Sequence, residues 1–180
     1  MYLQVKLPWN VIIAPENLDI KGVLLQRAIL VKVLEEFASR RAHKDLGYHI
    51  AVTSLESIGD GKVRQHTGEV LFPVVFSAIT FNIFRGEVLE GRVHKVFKHG
   101  VFMRCGPMEH IYLSCTKMPG YRYVPGENPE FINEKSPPVG KDDLVRFMVI
   151  GTKWLEAERE FQALASLEGD FLGPLPRPEI

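Results

Sequence analysis

Apolar and polar residues alternate from Tyr2 to Leu7, and after Pro8 the alternation resumes from Asn10 to Ile13 before Pro15 stops it. That pattern predicts a strand interrupted at its proline. From Val23 to Arg40 the period lengthens: Leu24, Ala28, Val31 and Leu34 share a stripe, with Leu30 and Phe37 beside it, which predicts a helix docked on a sheet. Asn17 or Asp19 is placed to cap it, because a short side-chain oxygen accepts from the orphan amides of a first turn. Val23, Leu25 and Val33 widen the apolar arc, which serves either a thick core or a second surface for another protein. Tyr48 to Ile58 reads as another strand, closed at Gly59-Asp60-Gly61 by a tight reversal with glycine supplying a positive φ. A polar loop follows from Lys62 to Gly68, and from Glu69 to Phe84 nearly every residue is a strand former. Pro73 within that run marks an edge or a bend. The first 84 residues thus predict β-β-α-β-β, a small antiparallel sheet with one helix.

The next stretch has a different grammar. Val88, Val93, Val96, Val101, Met103, Ile111 and Leu113 mark three short strands, punctuated by glycines at 86, 91, 100 and 106. Gly91 breaks the alternation between Val88 and Val93, as a bulge at a barrel corner does. Val101, Met103 and Cys105 face one way and Phe102 and Arg104 the other; Ile111 and Leu113 oppose His110 and Tyr112. Residues 115–143 carry five prolines and read as an insertion, which Tyr121, Tyr123 and Phe131 either pin down or offer to a partner. Leu144 to Trp154 and Phe161 to Leu167 supply two more strands and close a five-stranded barrel, while 173–180 is expected to be a disordered tail. The expected division is therefore 1–84, 85–172 with the insertion, and the tail.

Charge changes the picture locally. Lysine plus arginine equals aspartate plus glutamate at 22 each, so no global field draws the chain onto nucleic acid. Between Arg85 and Arg104, however, five Lys or Arg and two His stand against two Glu. Such a run is often only a solvated face. Here Lys95, Lys98 and His99 adjoin a face bearing Phe102, Arg104, His110 and Tyr112, and rings beside cations suit single-stranded nucleic acid: bases stack and phosphates find the charge. The plainer alternative is that Phe102 and Tyr112 merely close the barrel.

Other chemistries find no foothold. There is no nucleophile elbow, HExxH or phosphate-cradling glycine loop, and Glu156, Glu158 and Glu160 sit in an expected turn. Six scattered histidines and two cysteines, Cys105 and Cys115, lack ligand spacing, so the expectation is no metal, no cofactor and no catalytic residue, in a reducing compartment. Neither a leader peptide nor an apolar run of membrane-spanning length is evident, which gives a soluble, intracellular protein and no membrane partner.

The pattern G-x-V-x-x-G-x-V-x-x-V, then G-x-F, then an apolar strand ending in Ser resembles the S-one motif, the five-stranded OB-fold RNA-binding repeat of the largest small-subunit ribosomal protein. Tyr112 stands where that motif often has His. Over nearly the full length, the runs IAVTSLESIGDGKV, FPVVFSAITFNIFRGEVLEGRV, GPM, VRFMVIGTKW and LASLEGDFLG resemble, in order and spacing, the seventh subunit of eukaryotic nuclear RNA polymerases. The likeness is to the polymerase II group. Ala14-Pro15 in place of the usual His-Pro, and Ile83-Phe84 in place of Pro-Phe, favour the plant polymerase IV or V form, which acts in RNA-directed DNA methylation.

This resemblance implies an α+β protein, with a truncated RNP-like first domain and an S-one type OB-fold barrel. It implies a non-catalytic stalk subunit in the nucleus that pairs with the fourth subunit, docks beside the clamp against the largest subunits, and meets exiting nascent RNA. Carried over by position, Gly59, Asp60, Gly61 and Val63 are the core-facing tip, and Lys98, Phe102, Arg104, His110 and Tyr112 belong to the RNA-facing surface. The polymerase II or III stalk subunit, and a free-standing RNA-binding protein of translation or decay, are the competing readings.

Overall fold

Pro8 does not interrupt the first strand. In a computed structural model, which describes residues 1–18 and 23–176, β1 runs unbroken over Tyr2–Ile13. It lies at the edge of its sheet, the position in which a strand tolerates proline. A 3-10 turn, Pro15–Asn17, follows, so Asn17 lies in that turn and does not cap the helix; Asp19 and the side chains of Val23 and Leu24 fall outside the described residues. Then come α1 (Val23–Ser39), β2 (Ala42–His43), β3 (Gly47–Ile58), β4 (Lys62–Val63) and β5 (Val70–Phe81). They form one antiparallel sheet in the order β1-β5-β3-β2, with β4 also on β5. The contacts of the chain divide it into two units, residues 1–82 and 83–180.

The face of α1 that meets the sheet is not the expected one. Ile29, Val33 and Phe37 are buried, whereas Val31 and Leu34 are about 45% exposed. Because this helix is apolar nearly all round, periodicity alone does not select the docked stripe; the aromatic residues of the sheet do. Trp9 stacks on Phe76 at 5.4 Å, Phe37 meets Phe76 edge-on at 6.0 Å, and the Arg40 guanidinium sits 4.1 Å over the Trp9 ring. Val11, Val70, Val74 and Ala78 complete this core.

Two further expectations change. β3 makes a register shift after every third residue, between His49 and Ala51, Val52 and Ser54, and Leu55 and Ser57. This explains why its half-buried apolar residues, Val52, Leu55 and Ile58, recur at a spacing of three in a strand. Nor does the chain reverse at Gly59-Asp60-Gly61. Ile58 pairs with Val74 and Lys62 with Leu71, so β3 and β4 run in one direction along β5, and the reversal comes later, where His66 and Gly68 take positive φ. Gly59 and Gly61 are needed for room instead: a Cβ would approach Pro73 Cγ to 2.8 Å at the first and Phe72 and Val70 to 2.7 Å at the second. Pro73 occupies the gap between the β3 and β4 pairings of a central strand, where a missing N–H interrupts no ladder on that side.

The second unit is a closed OB-fold barrel. Its strands are β6 (Val88–Phe97), β7 (Gly100–Cys105), β8 (Met108–Ser114), β11 (Leu144–Leu155) and β12 (Glu160–Ser166). They run β12-β8-β7-β6-β11, with β11 returning to β12 and β12 lying parallel to β8. Within the insertion, β9 (Arg122–Val124) and β10 (Glu130–Ile132) form a hairpin, and the isolated bridge from Phe131 to Val139 closes it. Phe131, Met118 and Val139 are each 2% exposed or less, and the Tyr121 hydroxyl donates to the Pro137 carbonyl, so the loop is pinned by its own aromatic residues. The expectation of an unstructured tail from 173 is corrected for its start: β13, Gly173–Pro174, pairs with Arg146 and Val145. Residues 177–180 lie outside the described residues.

Candidate nucleic-acid interface

Alternation along β7 and β8 separates a dry interior from a mixed exterior. Val101, Met103, Ile111 and Leu113 are fully buried with Val93, Val145, Phe147 and Val149. Phe102 and Tyr112 pair across the ladder on the outside, their ring centroids 5.0 Å apart. Tyr112 donates its hydroxyl to the His99 carbonyl at 2.8 Å, which fixes the ring over the turn between β6 and β7. Gly100 makes this possible: a Cβ there would meet the Tyr112 ring and hydroxyl at 2.9 Å and collide with the Leu113 carbonyl.

Gly91 has a different task from the one expected. Its pairing with Val145 keeps register, and the bulge falls instead between Val93 and Lys95. At Gly91 a Cβ would come within 2.9 Å of the Phe147 ring and 3.0 Å of the Arg104 carbonyl, so the residue permits close approach where β6 passes from β11 to β7.

The bulge reverses the parity of β6. Lys95 pairs with Phe102 outside, Val96 with Val101 inside, and Phe97 is turned outward opposite Gly100. Plain alternation from Val93 would have buried Phe97, a residue not singled out from the sequence; the structure leaves it 42% exposed. Its ring lies parallel to His99 at 5.7 Å and edge-on to Phe102 at 5.9 Å, and His94 adjoins Phe102 at 6.4 Å. The result is one run of rings: His94, Phe102, Tyr112, His99 and Phe97. Burial first, then Arg104 and Lys95, hold the His94 ring below the usual histidine range, so at neutral pH it adds a flat uncharged surface.

The cations lie along the same strands. Lys95, Lys98 and Arg104 are exposed and form no ion pair among the described residues. Arg92, also missed by the sequence reading, stands directly across from Arg104. Like charges placed opposite each other on a ladder repel unless an anion lies between them. His110 is differently engaged: its Nε2 is 3.3 Å from a carboxylate oxygen of the nearly buried Glu160. The expected set is thus brought onto one outer face, with His110 held by an acidic neighbour.

In the first unit Gly59, Asp60, Gly61 and Val63 are all exposed along the β3–β4 passage, Val63 at 69%. No cluster of three or more His, Cys, Asp or Glu residues that could hold a metal occurs among the described residues, and no described helix is long and apolar enough to cross a membrane.

No family model matches the chain. It is 66% identical over 175 residues to DNA-directed RNA polymerase V subunit 7 of Arabidopsis thaliana, covering 97% of this chain and 98% of that one. It is 53% identical over 174 residues to DNA-directed RNA polymerase IV subunit 7 of the same plant, covering 97% and 99%. Against DNA-directed RNA polymerase II subunit RPB7 of Glycine max the identity is 36% over 134 residues, covering 73% and 74%.

Proposed function

The chain belongs to the subunit 7 family of DNA-directed RNA polymerases, and from that premise we propose that it is the stalk subunit of a polymerase V- or IV-type enzyme. The observation that carries this reading is the 66% identity to a polymerase V subunit 7, extending over both units of the chain, against 36% to a polymerase II relative. A solitary RNA-binding barrel is disfavoured, because the likeness takes in the sheet-and-helix unit as well as the barrel.

In this reading the chain has no active site of its own. It acts in the nucleus, in transcription that serves RNA-mediated silencing. It pairs with the fourth subunit and docks on the largest subunits beside the clamp. Gly59, Asp60, Gly61 and Val63 form the docking tip; the exposure of Val63 supports this, since a large apolar side chain 69% open to solvent gains by being covered. The β6–β8 face contacts single-stranded nascent RNA through Phe102, Tyr112, His99, Lys95, Lys98 and Arg104, with His110 at its border. The run of rings beside unpaired cations supports that contact.

The test is mass spectrometry of what co-purifies with a tagged copy from its native cells at moderate salt. The expected result is the two large subunits of a polymerase V or IV together with a fourth-subunit homologue, the largest subunit naming the enzyme. Recovery of ribosomal or messenger-bound proteins alone would sink the stalk reading.

A further inference from the structure

We propose that Phe97 is a base-stacking residue, a second aromatic platform beside the Phe102–Tyr112 pair, so that the β6–β8 face seats adjacent unpaired bases of one strand. The inference rests on the reading of that face as an RNA contact and deepens it. Three observations carry it. The bulge between Val93 and Lys95 turns Phe97 out of the barrel and gives the interior position to Val96, so the ring is not part of the closure. Opposite it on the ladder stands Gly100, which has no side chain to cover it. The ring nonetheless has a fixed place, parallel to His99 at 8° and edge-on to Phe102 at 89°, continuous with the Phe102–Tyr112 platform.

A ring held in this way and open on one side offers stacking area with little orientational freedom left to lose. Lys95 and Lys98 flank it, neither in an ion pair among the described residues, so both are open to a backbone phosphate. From the Phe97–Gly100 pair to the Arg92–Arg104 pair the ladder advances four residues along β7, about 13 Å. That is room for a short stretch of single strand with rings at one end and paired arginines at the other.

The test uses the 180-residue chain, a fluorescein-labelled 12-nucleotide oligouridylate, and anisotropy at low ionic strength. Phe97→Ala should weaken binding roughly five- to a hundredfold, the range for loss of one base–aromatic stack, with an unchanged melting temperature. Phe97→Trp should retain affinity, and its added indole emission should be quenched by the RNA. If Phe97→Ala binds as wild type does while Phe102→Ala/Tyr112→Ala is weakened, the inference fails and the RNA reading stands. If the wild-type chain does not bind the oligonucleotide at all, both fall.

Discussion

His49 lies flat against Phe37, the ring centroids 4.5 Å apart and the planes 14° from parallel, and this stack helps tie β3 to α1. Burial is the main reason its ring is held below the ordinary value of 6.5; the backbone at Arg40 and Phe37 opposes it, and His43 pushes the same way as burial. The sign for stability follows from which state takes up the proton. The unfolded chain protonates this histidine near 6.5, the folded chain only at lower pH, so below 6.5 the unfolded state binds more protons and stability falls as the solution is acidified. His94 adds a contribution of the same sign in the barrel. Glu56, which accepts from Ser54 and Ser77 and faces Lys6, is held below 4.5 and is lost only under stronger acid. The interval between these two values therefore belongs to the histidines. Phe in place of His49 keeps a stacking ring and removes the titration, so His49→Phe should lose less stability than wild type between pH 7 and pH 5. Urea unfolding midpoints at the two values check this; equal losses in both proteins would show that His49 does not govern acid sensitivity.

At the scale of elements, the β6–β7 ladder sets Arg92 against Arg104, and a phosphate seated between them would relieve the repulsion of that arrangement. Each phosphate contact to a single strand contributes about 0.7 to the slope of log affinity against log salt. Arg92→Gln/Arg104→Gln should therefore flatten that slope by roughly 0.7, the share of the one phosphate held between them, leaving the stacking contribution intact, as anisotropy titrations over a series of salt concentrations will read; an unaltered slope would mean that the pair touches no phosphate. Much of this ladder is legible in the sequence. The buried and exposed positions of β7 and β8 follow from strict alternation, and so Phe102, Arg104 and Tyr112 are found without a structure. Phe97 is not, because a bulge adds a residue without any marker of its own: the glycine that looks like the bulge, Gly91, is there for space. The same limit explains α1, whose apolar residues lie on all sides, so that Val31 and Leu34 seem as fit to be buried as Val33. It also explains Gly59 and Gly61, where composition signals a turn and the packing of Pro73, Phe72 and Val70 demands a straight passage. Glycine reports that a Cβ is unwelcome; whether the cause is a dihedral angle or a neighbour depends on what lies across the sheet.

For the whole molecule, 22 positive side chains balance 22 negative ones, and each unit is nearly neutral by itself, with 9 against 8 in residues 1–82 and 13 against 14 in 83–180, so neither is drawn to what it binds by net charge. Each proposed function then resides in a small surface, the β3–β4 passage in one unit and the β6–β8 face in the other, and the two should be separable by substitution. The choice of residues decides whether the experiment is clean. Gly59 and Gly61 are poor targets, because any side chain there runs into Pro73, Phe72 or Val70 and the sheet itself would have to shift. Val63 is the better one: at 69% exposure its replacement by Asp adds a charge to a surface that would have to be desolvated on docking, with little effect on the fold. Val63→Asp should lower recovery of the large polymerase subunits while the isolated chain binds oligouridylate as before. Phe102→Ala/Arg104→Ala/Tyr112→Ala should do the reverse, reducing crosslinks to RNA at full assembly, since all three side chains lie on the outside of the barrel and none lies in its buried interior. Parallel pull-downs and RNA crosslinking on the same two proteins give the answer. Loss of assembly in the triple variant would place the barrel face at a subunit contact, and unchanged crosslinking in it would make this chain an adaptor that does not touch the transcript.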